Sequence, residues 1–188
     1  YFAQLGTYNV GADALLETAN LLGISVAAPS SAKQLAKDIP QVAYGQGQAV
    51  ASPFQMARAA ATIAASGAMP YGRWVTDGNN SRQEAPKRIL APDLAAEIGS
   101  FMRAVVTSGT GRSAGTAKVE IAGKTGTAEL EHAKSHAWFI GFAPYGGKKP
   151  LAFAVLIENG QYGGTAAAPL AADVMSAAKD LGLFERTE

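Results

Sequence analysis

The sequence predicts an α+β fold, an antiparallel β-sheet flanked by helices. Two observations carry this. Three extended, apolar-rich stretches near 118–128, 136–143 and 151–158 follow one another through connections of about 7 residues, too short for the helical crossover that a parallel pair needs. Four stretches with helical periodicity, 11–23, 52–65, 93–106 and 168–181, stand before and after them.

Each element has a local reason. Residues 11–23 (GADALLETANLLG) set Ala12, Leu15, Leu16, Ala19 and Leu22 on one helical face, and Gly23 is a C-terminal stop. Residues 24–40 read as irregular, with Pro29 and Pro40 and a short helical turn near 31–37. Ser52 is a good N-cap and Pro53 suits the first helical position, so a helix runs from there to about Ala65 and stops at Ser66-Gly67. Residues 68–91 are turn-rich, with Gly78-Asn79-Asn80 a turn signal between short strands at 71–75 and 87–90. A helix follows Pro92, from Asp93 to about Val106. Residues 107–116 (TSGTGRSAGT) read as a mobile Gly/Ser loop ahead of the three strands. The last helix, from about Ala168 to Leu181, is closed by Gly182. No repeat or low-complexity linker occurs, so no domain boundary is placed.

Composition narrows the function classes. A length of 188 residues allows one domain with a sizeable core. The 16 basic and 15 acidic residues leave a net charge of +1 with no cationic stripe, which argues against nucleic acid as a partner. Absence of cysteine removes disulfides and thiolate-rich metal sites, and suits an exported bacterial domain. No run of about 18 apolar residues is present, so nothing in the sequence reads as a membrane span, and no signal peptide is recognisable.

The chemistry concentrates in Ala-Gly-Lys-Thr-Gly-Thr-Ala-Glu at 122–129. A phosphate loop needs a Gly-rich turn before Lys-Ser/Thr and a helix after it. Here Gly123 is the only glycine close before Lys124, and extended sequence lies on both sides. Strand context instead fits the Lys-Thr-Gly signature shared by penicillin-binding proteins and class A β-lactamases. Strand alternation puts Lys124 and Gly126 on one side, and Thr125 and Thr127 on the other.

Four further stretches extend the match in order: Tyr44-Gly45-Gln46-Gly47-Gln48, Ser52-Pro53-Phe54-Gln55-Met56-Ala57, Gly109-Thr110-Gly111 and Ala137-Trp138-Phe139-Ile140-Gly141-Phe142-Ala143-Pro144. With Lys124-Thr125-Gly126 they resemble the second half of a class B penicillin-binding protein transpeptidase domain, of the elongation and division type that includes the penicillin-binding protein A group. The family's Ser-x-x-Lys nucleophile motif and its Ser-x-Asn both precede the Gly-Gln-Gly stretch. Tyr1-Phe2-Ala3-Gln4-Leu5-Gly6 resembles the residues just after Ser-x-Asn. Residues 1–188 are therefore expected to be the C-terminal portion of such a domain, carrying only its third motif.

The resemblance implies a fold of the penicillin-binding protein and serine β-lactamase type. It also implies a peptidoglycan D,D-transpeptidase that cross-links stem peptides through a serine acyl-enzyme and is inhibited by β-lactams. By the same resemblance Lys124 serves proton transfer beside the Ser-x-Asn serine, and the Thr127 backbone N–H is an oxyanion donor. Thr125, Gly126 and Thr127 bind substrate, the two hydroxyls taking its terminal carboxylate and Gly126 letting its backbone approach the strand edge. Neither cofactor nor metal is implied. The expected partners are stem peptides, β-lactams and the N-terminal remainder of the polypeptide, which would also carry a membrane anchor and place the domain outside the cytoplasm. A carboxypeptidase or β-lactamase of the same fold is the nearest alternative. A β-lactam-sensing or scaffold module without chemistry is the more distant one.

Two other patterns weigh little. Ser30-Ser31-Ala32-Lys33 and Ser176-Ala177-Ala178-Lys179 satisfy Ser-x-x-Lys, but one falls in an irregular stretch and the other follows Lys-Thr-Gly in the wrong order. His132 and His136 are four apart, yet they fall between predicted strands, where helical ligand spacing means nothing. Residues 129–135 read as a charged, glycine-free loop able to gate the cleft.

Overall fold

The computed structural model describes residues 1–72 and 85–185. The chain divides into two compact units, Tyr1–Gln55 and Met56–Glu188.

In the first unit, α1 (Phe2–Leu5) continues through a π-helical stretch (Gly6–Val10) into α2 (Gly11–Leu22). Gly23 stops α2 at φ 73°, a left-handed conformation that glycine adopts without a Cβ penalty. Two one-turn helices follow, α3 (Ala32–Leu35) and α4 (Ile39–Val42). Ala19, Val26, Ala27, Leu35 and Val42 form the core, with Leu15 and Leu16 packed against it. The apolar face read from 11–23 is thus the face that α2 turns to this core.

The helix α5 (Pro53–Ala64) opens on a reciprocal cap. The Gln55 N–H donates to Ser52 Oγ at 3.2 Å, and the Ser52 N–H donates to Gln55 Oε1 at 2.7 Å, so two otherwise orphaned donors are satisfied.

The second unit is built on a three-stranded antiparallel sheet, β3 (Ala122–Leu130), β4 (Ala133–Ala143) and β5 (Leu151–Ile157), in that spatial order. A separate short pair joins β1 (Ala68–Met69) to β2 (Lys87–Arg88). The turn expected at Gly78-Asn79-Asn80 lies outside the described residues. Alternation along β4 sends Ala137, Phe139 and Ala143 to one face, where they join Ala168, Ala171 and Met175 of α7 (Ala168–Asp180). Ala122 and Phe142 sit on the other face with Met102 and Ile98 of α6 (Pro92–Thr107) and Ile63 of α5. The predicted α+β architecture of an antiparallel sheet between helices is the one observed.

Three local expectations are corrected. The first strand begins at Ala122, not at 118, because the preceding backbone is bonded elsewhere. Lys118 N–H donates to Ser176 Oγ at 3.0 Å, and Lys118 C=O accepts from Lys179 Nζ at 2.9 Å. The Glu120 carbonyl accepts from the Tyr145 N–H at 2.8 Å, and the Ile121 carbonyl from Arg103 at 2.9 Å. These bonds take the place of regular ladder pairing over 118–121. The Gly/Ser stretch 107–116 is folded rather than mobile: Arg112–Thr116 form a 3₁₀ turn and Ala114 is fully buried. The loop read at 129–135 shrinks to Glu131-His132, since Leu130 already pairs with Ala133. His132 takes the positive φ (61°) that a tight turn usually assigns to glycine, a region where histidine is more common than most side chains.

Candidate active site

Lys124, Thr125, Gly126 and Thr127 lie side by side in the middle of β3. They face Ile140, Phe139, Trp138 and Ala137 of β4 in that order. β3 is the end strand of its sheet, so its other edge meets no strand among the described residues. An end strand is the element to which a peptide can be added as a further strand.

The side chains divide as alternation demands. Lys124 is exposed, and its Nζ donates to the Thr125 carbonyl at 2.7 Å. Among the described residues no carboxylate pairs with it. The ammonium has three protons, so two remain for acceptors brought by a substrate or another segment. Thr125 is half-buried next to the fully buried Phe139, and its hydroxyl is 2.6 Å from that of Thr110. Thr127 is exposed. Gly126 is tightly matched to its neighbour: a Cβ there would stand 3.1 Å from Trp138 Cβ.

The start of β3 is fixed from α6. The Arg103 guanidinium reaches the Ile121 carbonyl and, at 2.8 Å, the Glu120 carboxylate. The far end is fixed by the turn at Glu131-His132, seven residues and about 23 Å along the strand from Lys124. A strand held at both ends presents the Lys-Thr-Gly run in one register.

The sequence assigns no role in the site to three residues of this neighbourhood, although Thr110 lies within the Gly109-Thr110-Gly111 match. Thr110 lies just after α6, and its flanking glycines bond back to it: the Gly109 and Gly111 N–H groups donate to the Val105 carbonyl at 3.1 and 3.0 Å. Gly163 and Gly164 open a π-helical stretch (Gly163–Ala167) that leads into α7. A Cβ on Gly163 would overlap the Trp138 carbonyl and crowd the Gly126 backbone. One on Gly164 would overlap the Thr110 carbonyl and stand 3.8 Å from Thr125 Cγ2. Nothing local in the sequence says which strand these paired glycines touch.

The weaker patterns are absorbed by structure. Ser30, the serine of the first Ser-x-x-Lys pattern, is exposed in the irregular segment before α3, and its neighbour Ser31 caps that helix by accepting the Gln34 N–H at 3.2 Å. Ser176 accepts from Lys118 N–H and donates to the Ala172 carbonyl at 2.7 Å, while Lys179 serves the Lys118 carbonyl. His136 Nδ1 accepts the Asn159 N–H at 3.1 Å, and the exposed His132 is 3.6 Å from Glu131. Among the described residues no three metal-ligating side chains converge. A cavity of about 350 Å³ is lined by Lys118, Tyr145, Lys179 and Phe184, away from the Lys-Thr-Gly run. Its cations are committed, Lys118 to Asp180 and Lys179 to the Lys118 carbonyl.

Residues 1–176 match the family model described as the penicillin binding protein transpeptidase domain. The chain is 34% identical to the peptidoglycan D,D-transpeptidase PbpA of Mycolicibacterium smegmatis over 94% of its own length. It spans 41% of that relative. The crystal structure of PBPA from Mycobacterium tuberculosis superposes with a TM-score of 0.74 at 30% identity, covering 95% of this chain and 46% of that one. The imipenem acyl-enzyme complex of penicillin-binding protein A from M. tuberculosis gives 0.72 at 29% identity, covering 94% and 44%.

Proposed function

The chain belongs to the penicillin-binding protein transpeptidase domain family, and on that premise we propose that it supplies the Lys-Thr-Gly wall of a peptidoglycan D,D-transpeptidase site. One observation carries the reading. Lys124-Thr125-Gly126 sits on an end strand whose outer edge meets no strand among the described residues, with the Lys124 ammonium exposed and Thr125 buttressed behind it.

In this reading the serine nucleophile comes from the remainder of the polypeptide. Two facts support that. Neither Ser-x-x-Lys pattern is set in a site, since Ser30 and Lys33 are both exposed and Ser176 and Lys179 both hold the Lys118 backbone. The chain also spans only 41% of the length of the M. smegmatis relative. A stem peptide lies along β3 as an added strand, its terminal carboxylate against the Thr125 and Thr127 hydroxyls. The serine oxygen attacks the penultimate carbonyl, whose developing oxyanion meets the Thr127 N–H. The C–N bond breaks, the terminal D-alanine leaves with the serine's proton, and an acceptor amine then displaces the serine from the acyl-enzyme. Lys124, bearing its charge beside the reacting groups, eases these proton transfers.

A β-lactam carries a carboxylate and a reactive carbonyl in similar relation, so it would acylate the same serine and leave slowly. Metal and organic cofactors have no place in this scheme. No helix of the described residues is long and apolar enough to cross a membrane, so anchorage at the outer face of the cytoplasmic membrane would fall to the remainder. The relatives are transpeptidases by name, which favours cross-linking over hydrolysis. The test is acylation of the full-length protein by benzylpenicillin, followed by peptide mass spectrometry. An adduct on a serine outside residues 1–188, formed more slowly in Lys124→Ala, is the expected result. Wild-type acylation in a folded Lys124→Ala would overturn the assignment.

A further inference from the structure

Thr110 and Thr125 come from segments fifteen positions apart, and their hydroxyl oxygens are 2.6 Å from each other. A threonine hydroxyl has one proton and two lone pairs, so a single proton lies between the two oxygens and the other points elsewhere. Which of the two points outward depends on what approaches. A carboxylate only accepts. It therefore selects the arrangement in which Thr110 donates to Thr125 and Thr125 donates onward.

Thr110 is placed to hold that arrangement. The N–H groups on both sides of it are bonded to the Val105 carbonyl at the end of α6. Its own carbonyl is closed off by Gly164, where a Cβ would overlap it. Gly164 also runs close to the Thr125 methyl, so the Thr125 side chain has a wall on one side and a hydroxyl partner on the other.

We propose that Thr110 is a positioning residue for carboxylate recognition: it donates its hydroxyl proton to Thr125, fixing that side chain and directing the Thr125 proton to the substrate's carboxylate. Polarisation along the chain of hydroxyls strengthens the terminal bond to the anion. The inference rests on the reading of β3 as the substrate strand of a transpeptidase.

The experiment measures second-order acylation of the full-length protein by benzylpenicillin and by its carboxylate methyl ester. Thr110→Val should slow reaction with the free acid by about 2- to 13-fold, the range for one lost hydrogen bond. Thr110→Ser should stay within about twofold of wild type, and Thr110→Ala replaces the valine variant if a thermal melt shows that one unfolded. In a Thr125→Val background, loss of the Thr110 hydroxyl should change the rate by less than about twofold, because the group it acts through is gone. The ester, lacking the anion, should react with wild type and the Thr110 variants at similar rates. Multiplying penalties in the double variant, or an equal slowing with the ester, would overturn the proposal and leave Thr110 a structural residue. Lys124→Ala separates the levels. If it is impaired while Thr110→Val and Thr110→Ala react normally, only the positioning role fails; if it reacts normally, the reading of the strand fails as well.

Discussion

Ser176 on α7 accepts the backbone N–H of Lys118 at 3.0 Å, fifty-eight positions earlier in the chain. Together with Lys179 on the Lys118 carbonyl, it ties the segment before the Lys-Thr-Gly strand to the terminal helix. A pattern that looks like a nucleophile and its base is a clamp on backbone.

Ser176→Ala removes this acceptor from a solvent-accessible segment, so water recovers part of the loss. A net cost of about 0.5–1.5 kcal/mol is expected, a fall in Tm of roughly 1–6 °C for a domain of this size. Penicillin labelling of the full-length protein should be retained at the wild-type stoichiometry. Loss of labelling in a folded Ser176→Ala would return this serine to the list of nucleophiles.

Arg103 makes two bonds of unequal worth. Its ion pair with Glu120 is largely exposed on the carboxylate side, at 66%, and such pairs contribute about 0–1 kcal/mol. Its bond to the Ile121 carbonyl satisfies backbone where β3 starts, and a charge-assisted bond there is worth about 1.5–3 kcal/mol. Glu120→Gln should therefore be nearly silent in a urea melt, whereas Arg103→Ala should lower the midpoint clearly. Equal effects would mean that the ion pair, not the carbonyl contact, holds the strand.

Two glycines near the site should respond differently to a methyl group. A Cβ on Gly163 meets the Trp138 carbonyl and the Gly126 backbone, neither of which can yield without moving strands. On Gly126 it meets only the Trp138 Cβ, at 3.1 Å, so a shift of a few tenths of an ångström is enough. Gly163→Ala should cost about 1–3 kcal/mol or more, and Gly126→Ala should fall toward the lower end of that range. Thermal melts of the two variants decide, and the reverse order would mean that the π-helical stretch, not the sheet, gives way.

What the sequence made legible was local. Ser52, Pro53 and Gln55 spell a helix start, Gly23 spells a stop, and short connections spell antiparallel order. The Lys-Thr-Gly run was readable because its three residues are contiguous on one strand. What stayed hidden depends on distant partners. Residues 117–121 have strand-like alternation, but Ser176, Lys179, Arg103 and Tyr145 take their backbone groups. The turn at Glu131-His132 carries none of the usual hairpin residues, since a histidine supplies the positive φ. The division between Gln55 and Met56 falls inside α5, where no linker composition marks it. Thr110 stands in the Gly109-Thr110-Gly111 match, but no local pattern encodes its hydroxyl contact with Thr125.

The motif itself gives the sharpest test. Thr125→Val keeps the branched shape that packs beside Phe139 and removes the hydroxyl that would face the substrate carboxylate. One charge-assisted hydrogen bond is worth about 1.5–3 kcal/mol, so acylation should slow by roughly 10- to 150-fold. Lys124→Ala should cost more, because it removes both the positive field at the site and a partner in proton transfer. Lys124 is exposed and, among the described residues, bonds only to the carbonyl of the next residue, so its loss should leave the melting temperature close to wild type. The measurements are the second-order acylation constant of the full-length protein with benzylpenicillin and a thermal melt of each variant. Slow acylation in variants with an unchanged melt assigns the loss to chemistry. If the melts fall in step with the rates, the run is part of the scaffold and its hydroxyl and ammonium have no direct share in the reaction.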